Sequence, residues 1–153
     1  MPRFKGHKVL EFDIIPMPKP QNIRRGDGKK IHYSKLYFAK LSEQERKRLE
    51  YIKRYFLWKE TVAWLAQQAG YTVPGVFKAC FILPMPESWK PDKKRDMTGK
   101  AHEQTPDLDN LEKAFIDAIC EDDKHIHTHQ TRKVWGSVGK IQVPYPTKKE
   151  KIS

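Results

Sequence analysis

Apolar and polar positions divide the chain into segments of different period. Val9 to Met17 alternates in part and predicts a first strand, ended by Pro16, Pro18 and Pro20, which cannot donate to a sheet ladder. Ser42-Glu43-Gln44-Glu45 has the form of a capping box and opens a long helical stretch that closes at Gly70. At about 27 residues that helix would run for about 40 Å. Leu49, Ile52, Phe56, Ala63 and Ala66 mark its expected buried stripe, and Lys47, Arg48, Lys53, Arg54 and Lys59 cover the rest. Tyr51, Tyr55, Trp58 and Trp64 widen the apolar surface beyond one face, enough for a dimer interface besides the core. Val76 to Leu83 is almost wholly apolar and predicts a central strand. His125 to Val134 and Lys140 to Tyr145, joined through Gly136-Ser137-Val138-Gly139, read as a terminal β-hairpin. The expected fold is a single compact α/β (α+β) domain over residues 1–153, a mixed sheet packed on helices, with its core at about 8–146 and a frayed tail at 147–153.

Charge changes this picture. The 153 residues carry a formal net charge of +11, which points to a polyanionic partner, nucleic acid before membrane. Two basic loops stand out. Residues 19–35 hold Lys19, Arg24, Arg25, Lys29, Lys30 and Lys35, a phosphate-contacting arm or a solvated loop. Residues 84–106 hold Lys90, Lys93, Lys94, Arg95 and Lys100 with little apolar content; a structureless loop of that length is uncommon unless functional. Cys80 and Cys120 have apolar neighbours and no metal-type spacing, so a reducing cytoplasm is the expected compartment. No run reaches the length of a membrane span, and basic Met1 to Lys8 leads into no signal-peptide core.

Against that basic background, Thr105-Pro106-Asp107-Leu108-Asp109-Asn110-Leu111-Glu112-Lys113, followed by Glu121-Asp122-Asp123, is an acidic knot. Asp107 and Asp109 lie two apart, so an extended backbone would point both the same way. From Asn110 the period becomes helical, with Leu111, Ala114, Phe115, Ala118 and Ile119 on one face and Ile116 as an apolar exception. Asp109 and Lys113 fall opposite that stripe. Asp109 with Glu112 also makes a good capping box, and Lys113 could simply pair with Asp109 or Asp117. Those structural roles leave Asp107, Asp122 and Asp123 unexplained. Clustered carboxylates stay ionised when a cation holds them, and Mg²⁺ takes hard oxygen ligands from carboxylates, water and phosphate. A nearby lysine could stabilise the transition state of phosphodiester hydrolysis. One joint is tight: the helix carries the chain about 15 Å from Asp109, and four residues return at most about 14 Å. His125, His127 and His129 alternate, a spacing that could set three imidazoles on one strand face for Zn²⁺ or Ni²⁺. Asp13, Asp92 and Asp96 have no evident partner.

At these residues the sequence resembles the RusA family of Holliday junction resolvases. The family signature is Asp-x-Asp-Asn-Leu-x-Lys-Ala, an Asp three residues beyond the Ala, and an acidic pair before a strand. Here Asp107 to Ala114, then Asp117, then Asp122-Asp123 follow it in order. The resemblance implies a small homodimeric nuclease that binds four-way junction DNA and nicks two opposed strands using Mg²⁺; by the same hard-oxygen chemistry Mn²⁺ could substitute. By position, Asp107, Asp109 and Asp123 match its metal-binding aspartates and Lys113 its catalytic lysine. The departure is the short link between Asp117 and Asp122. A non-catalytic nucleic-acid-binding module, or a metal nuclease without junction preference, are the competing readings.

Overall fold

The computed structural model describes Phe4, residues 6–20 and residues 42–145; Arg24, Arg25, Lys29, Lys30, Lys35 and the tail 147–153 lie outside the described residues. In chain order the elements are β1 (Val9–Phe12), α1 (Glu43–Ala69), β2 (Val76–Pro84), α2 (Pro91–Met97), α3 (Leu108–Ile119), β3 (Thr128–Gly136) and β4 (Lys140–Pro144). They make the expected α+β architecture, a mixed four-stranded sheet ordered β1-β4-β2-β3.

The apolar run Val76–Pro84 becomes an inner strand, as its composition requires. It pairs in parallel with β3 along its whole length, from Val76 opposite Thr128 to Pro84 opposite Gly136. On its other side it pairs antiparallel with β4, Phe81 opposite Ile141. The expected terminal hairpin is therefore absent: β3 and β4 flank β2 instead of pairing with each other. The turn between them crosses two strand spacings, about 10 Å, over the end of β2, where the Met85 N–H donates to the Gly136 carbonyl at 3.1 Å. Glycine is needed at 136, because a Cβ there would lie 2.3 Å from Ile82 Cγ2.

β1 stops at Phe12, short of the expected Met17, and Ile14 turns back to donate its N–H to the Phe12 carbonyl at 2.9 Å. The proline-rich segment that follows reaches α3, where the Lys19 N–H donates to the Asn110 carbonyl at 3.3 Å. The ends of α1 are the expected ones. The Ser42 hydroxyl accepts the Glu45 N–H at 3.3 Å, and Gly70 closes the helix at φ 64°. Its buried face is turned relative to the expected stripe: Leu49, Ile52, Tyr55, Trp58, Val62 and Ala66 face inward. Phe56 is exposed and Ala63 only half-buried. The large rings of Tyr55 and Trp58 remove more area from water than the small residues could, and they set the phase. Trp58 Nε1 donates to the Ile15 carbonyl at 2.8 Å, and burial pushes the Tyr55 hydroxyl pKa up to about 12.

The core centres on Phe115 of α3. Its ring lies 5.2 Å from Phe12, 5.8 Å from Phe77 and 6.3 Å from both Tyr71 and Phe81, centroid to centroid. Full burial of one such ring stabilises the fold by about 1.5–3 kcal/mol. α3 begins at Leu108, two residues earlier than its period suggests, and buries Ile116 and Glu112 besides the expected Leu111, Ala114, Phe115 and Ala118. Ile119 is half-buried. The wider buried face follows from two neighbours, since α3 packs on α1 as well as on the sheet.

Residues 84–106 are ordered structure and not a bare loop. Pro91 starts α2 at a position that needs no amide hydrogen. Beyond Gly99 (φ 82°) the chain bridges to β3, Ala101 opposite Val134, and His102 donates its N–H to the Lys133 carbonyl at 3.1 Å. Both cysteines are unpaired, and burial raises each thiol pKa. Among the described residues no helix is long and apolar enough to cross a membrane.

Candidate active site

The acidic motif lies where the chain, having left the end of β2, enters α3. Lys133 of β3 holds the entry: its Nζ donates to the carbonyl oxygens of Gln104 and of Pro106, the latter at 2.7 Å. Asp107 then takes the N-cap position in extended conformation, and its carbonyl accepts the Leu111 N–H at 3.2 Å. Its carboxylate makes no capping bond. The capping box of Asp109 with Glu112 does not form, because the cap falls two residues earlier and Asp109 sits in the first turn.

Asp109 Oδ2 lies 4.0 Å from Lys113 Nζ, one turn on, and both side chains are mostly exposed. Such a pair contributes a few tenths of a kcal/mol at most, so it leaves both charges available to a ligand. Asp117 is not the partner of Lys113; it pairs with Lys19 Nζ at 2.6 Å. Two grooves flank the start of α3. Asp107 lines one with Pro18, Lys19, Tyr51 and Leu83, and Asp109 lines the other with Glu112, His129 and Thr131.

Glu112 has a role the linear motif did not disclose. It is buried, its Oε1 accepts the Thr131 hydroxyl, and the His129 Nδ1–H donates to its Oε2 at 2.8 Å. This carboxylate ties α3 to β3 directly behind Asp109. The three histidines therefore do not share a face. His125 Nε2–H donates to the Val73 carbonyl at 2.7 Å, His127 Nδ1 lies 2.9 Å from the Thr128 hydroxyl, and the strand begins only at Thr128. Asp13 and Asp92 also have partners, Lys140 at 3.5 Å and Arg95 respectively.

Asp123 stays apart from Asp107 and Asp109. After the α3 cap at Cys120 the chain turns, and the Ile126 N–H donates to the Asp123 carbonyl at 3.0 Å. Asp123 is near enough to Cys120 for its charge to help raise that thiol's pKa. It thus sits at the far end of a helix about 18 Å long. The segment that follows is anchored at the start of β2, where His125 bonds to Val73 and the His127 N–H donates to the Gly75 carbonyl at 3.0 Å. Among the described residues, no group of three or more His, Cys, Asp or Glu side chains is arranged to hold a metal ion. Asp122, the preceding acid, accepts the Lys124 N–H at 3.0 Å, and that bond together with the Lys124 ammonium holds its carboxyl below the usual range.

The Glu112 tie has a measurable consequence. Glu112→Ala leaves Thr131 and His129 without their acceptor and should lower unfolding stability by about 2–3 kcal/mol. Glu112→Gln keeps the shape and should cost roughly half as much. Urea denaturation of both, with exposed Asp109→Ala as the control, checks this; equal small losses in all three would contradict it.

No curated protein matches the chain. The sequence model of the family described as Endodeoxyribonuclease RusA matches residues 16–144, from the proline segment through α1, the acidic motif and β3 to the end of β4. Enzymes of that family are hydrolases that resolve Holliday junctions. With most of its length matched and the motif seated at the head of α3, the chain belongs to the RusA endodeoxyribonuclease family.

Proposed function

We propose that the protein cuts four-way junction DNA by symmetric phosphodiester hydrolysis, with Mg²⁺ held by Asp107 and Asp109, Asp123 as the third aspartate of the set, and Lys113 assisting. The observation that carries this reading is the pair of exposed carboxylates at the head of α3, with an ammonium one turn on and neither acid spent on capping. These hard oxygen donors suit Mg²⁺, which keeps several waters and takes one or two carboxylates plus substrate phosphate; Mn²⁺ would substitute. A bound ion there would supply charge neutralisation at the scissile phosphate and a more acidic water.

The chain's own groups do the rest. Lys113 is free to meet negative charge that develops on the phosphate oxygens. Lys133 keeps Asp107 in place by holding the backbone before it. Asp123 would join the set only through rearrangement of the turn after Cys120, where the Asp122–Lys124 contact is exposed and weak. Lys90, Lys93, Lys94, Arg95 and Lys100 on and beside α2, with Arg24, Arg25, Lys29 and Lys30 in the basic arm, would contact DNA phosphates.

A junction presents strands related by two-fold symmetry, and a two-fold dimer places one site on each. Leu57 and Trp64, two turns apart on α1, are 64% and 57% exposed and lie near exposed Phe56. A second copy covering that face accounts for apolar surface that the monomer leaves in water. The two unpaired thiols suit a reducing cytoplasm, where the enzyme would meet its DNA.

Asp109→Asn should cut Mg²⁺-dependent nicking of a labelled four-way junction by about 10²–10³-fold or more, while junction binding is kept or tightened. Duplex, flap and RNA substrates run alongside measure junction preference. Cleavage by Asp109→Asn at the unaltered rate would sink its role. In sedimentation at micromolar concentration the protein should run as a dimer and Leu57→Glu/Trp64→Glu as a monomer; a monomeric parent protein would contradict the dimer.

A further inference from the structure

Helix α2 buries none of its residues, so the core does not account for it. What it does is build one wall of a groove. Trp89, just before the helix, and Met97, at its end, face Trp135 of β3, and Lys93 and Lys100 stand at the margin with one carboxylate, Glu103. The groove holds about 530 Å³, within the range of sites for molecules the size of a nucleotide. Trp89 and Trp135 line it, and the ladder of rings continues behind Trp135 to His102. His102 and Trp135, each 5% exposed, lie 3.9 Å apart between centroids. Trp135 and Trp89 lie 4.8 Å apart, and Trp89 is only half-buried. Burial and the Lys133 ammonium hold the His102 imidazole below its ordinary pKa range.

The outer end is different. Lys93 Nζ sits 4.1 Å above the Trp89 ring, an exposed cation on a π face. A flat base is the ligand such a surface suits, since every base has a π face and its phosphate offers Lys93 a stronger partner than the indole does. We propose that this groove takes an unpaired nucleotide of the DNA substrate, its base stacked on Trp89 and its phosphate on Lys93 and Lys100.

The place of the groove supports that occupant. Gln104 lines it, and the Gln104 carbonyl is held by the same Lys133 ammonium that holds Pro106 beside Asp107. Gln104 and Asp107 are three positions apart in the sequence, at most about 10 Å of chain. A strand crossing the head of α3 would therefore reach the groove within a few nucleotides. Arg95 is already engaged by Asp92, whereas Lys93 and Lys100 make no ion pair among the described residues. The inference rests on the chain's being a DNA nuclease and not on its metal ligands.

The test is done on the full chain in EDTA, so that it reads binding and not cleavage. Fluorescence anisotropy follows a labelled oligothymidylate of about ten nucleotides and a duplex of equal length. Trp89→Ala should weaken oligothymidylate binding about tenfold and leave duplex binding within twofold of the parent. Trp89→Phe keeps a stacking face and should recover most of the loss. Lys93→Ala should reduce the salt dependence by about one phosphate contact. Because α2 buries nothing in the core, far-UV circular dichroism of all three should match the parent. Unchanged oligothymidylate binding by Trp89→Ala, or an equal loss for Phe and Ala, overturns the proposal. An equal loss on duplex also overturns it, while loss of binding to every DNA by the parent protein would instead remove the DNA reading itself.

Discussion

The parallel pairing of β2 with β3 is the constraint on which the site depends. Parallel neighbours cannot be joined by a tight turn, so the chain must leave the end of β2, cross the sheet and re-enter at the start of β3. α3 is that crossing. Its head is therefore placed beyond the carboxyl end of β2, with Leu83 and Asp107 lining one groove. In sheets with parallel strands this is the end where ligands gather, because helix N-termini and loops converge there.

A crossing helix is useful for chemistry only if it cannot roll. Phe115 fixes its underside among Phe12, Phe77, Tyr71 and Phe81, and α1 packs on the other flank. Glu112 adds a polar tie to Thr131 and His129 on β3, and Lys133 of the same strand pins the backbone before Asp107. These contacts hold the first half of the helix from two directions. The exposed acids at its head are thereby held on a rigid element while remaining in water.

Much of this was legible in the sequence where the signal is local. Ser42 and Gly70 mark the ends of α1 because caps are written in a few adjacent residues. The apolar run at 76–83 had to be an inner strand, and Asp107, Asp109 and Lys113 form a contiguous motif. What failed depends on residues far apart. A glycine-rich turn between two strands reads alike whether they pair or a third lies between, and here β2 pairs with both. The phase of α1 differs from its expected stripe because Tyr55 and Trp58 outweigh the small residues that fit the same period. Glu112 looked like half of a capping box, since Thr131 lies 19 residues further on. Chain length alone makes the closure between Asp109 and Asp123 tight, and the anchoring of His125 at Val73 joins residues 52 positions apart. Trp89 and Trp135 meet only through the bridge of residues 99–102 to β3.

The proposed chemical centre is the head of α3, supported from beneath by Phe115 and pinned from β3 by Lys133. Mn²⁺ tests that most directly, because its anomalous scattering locates the ion in a crystal of the intact protein. The expected result is an ion bound by the carboxylates of Asp107 and Asp109. Mn²⁺ held elsewhere with those two carboxylates bare, or no ordered ion at millimolar Mn²⁺, would contradict it.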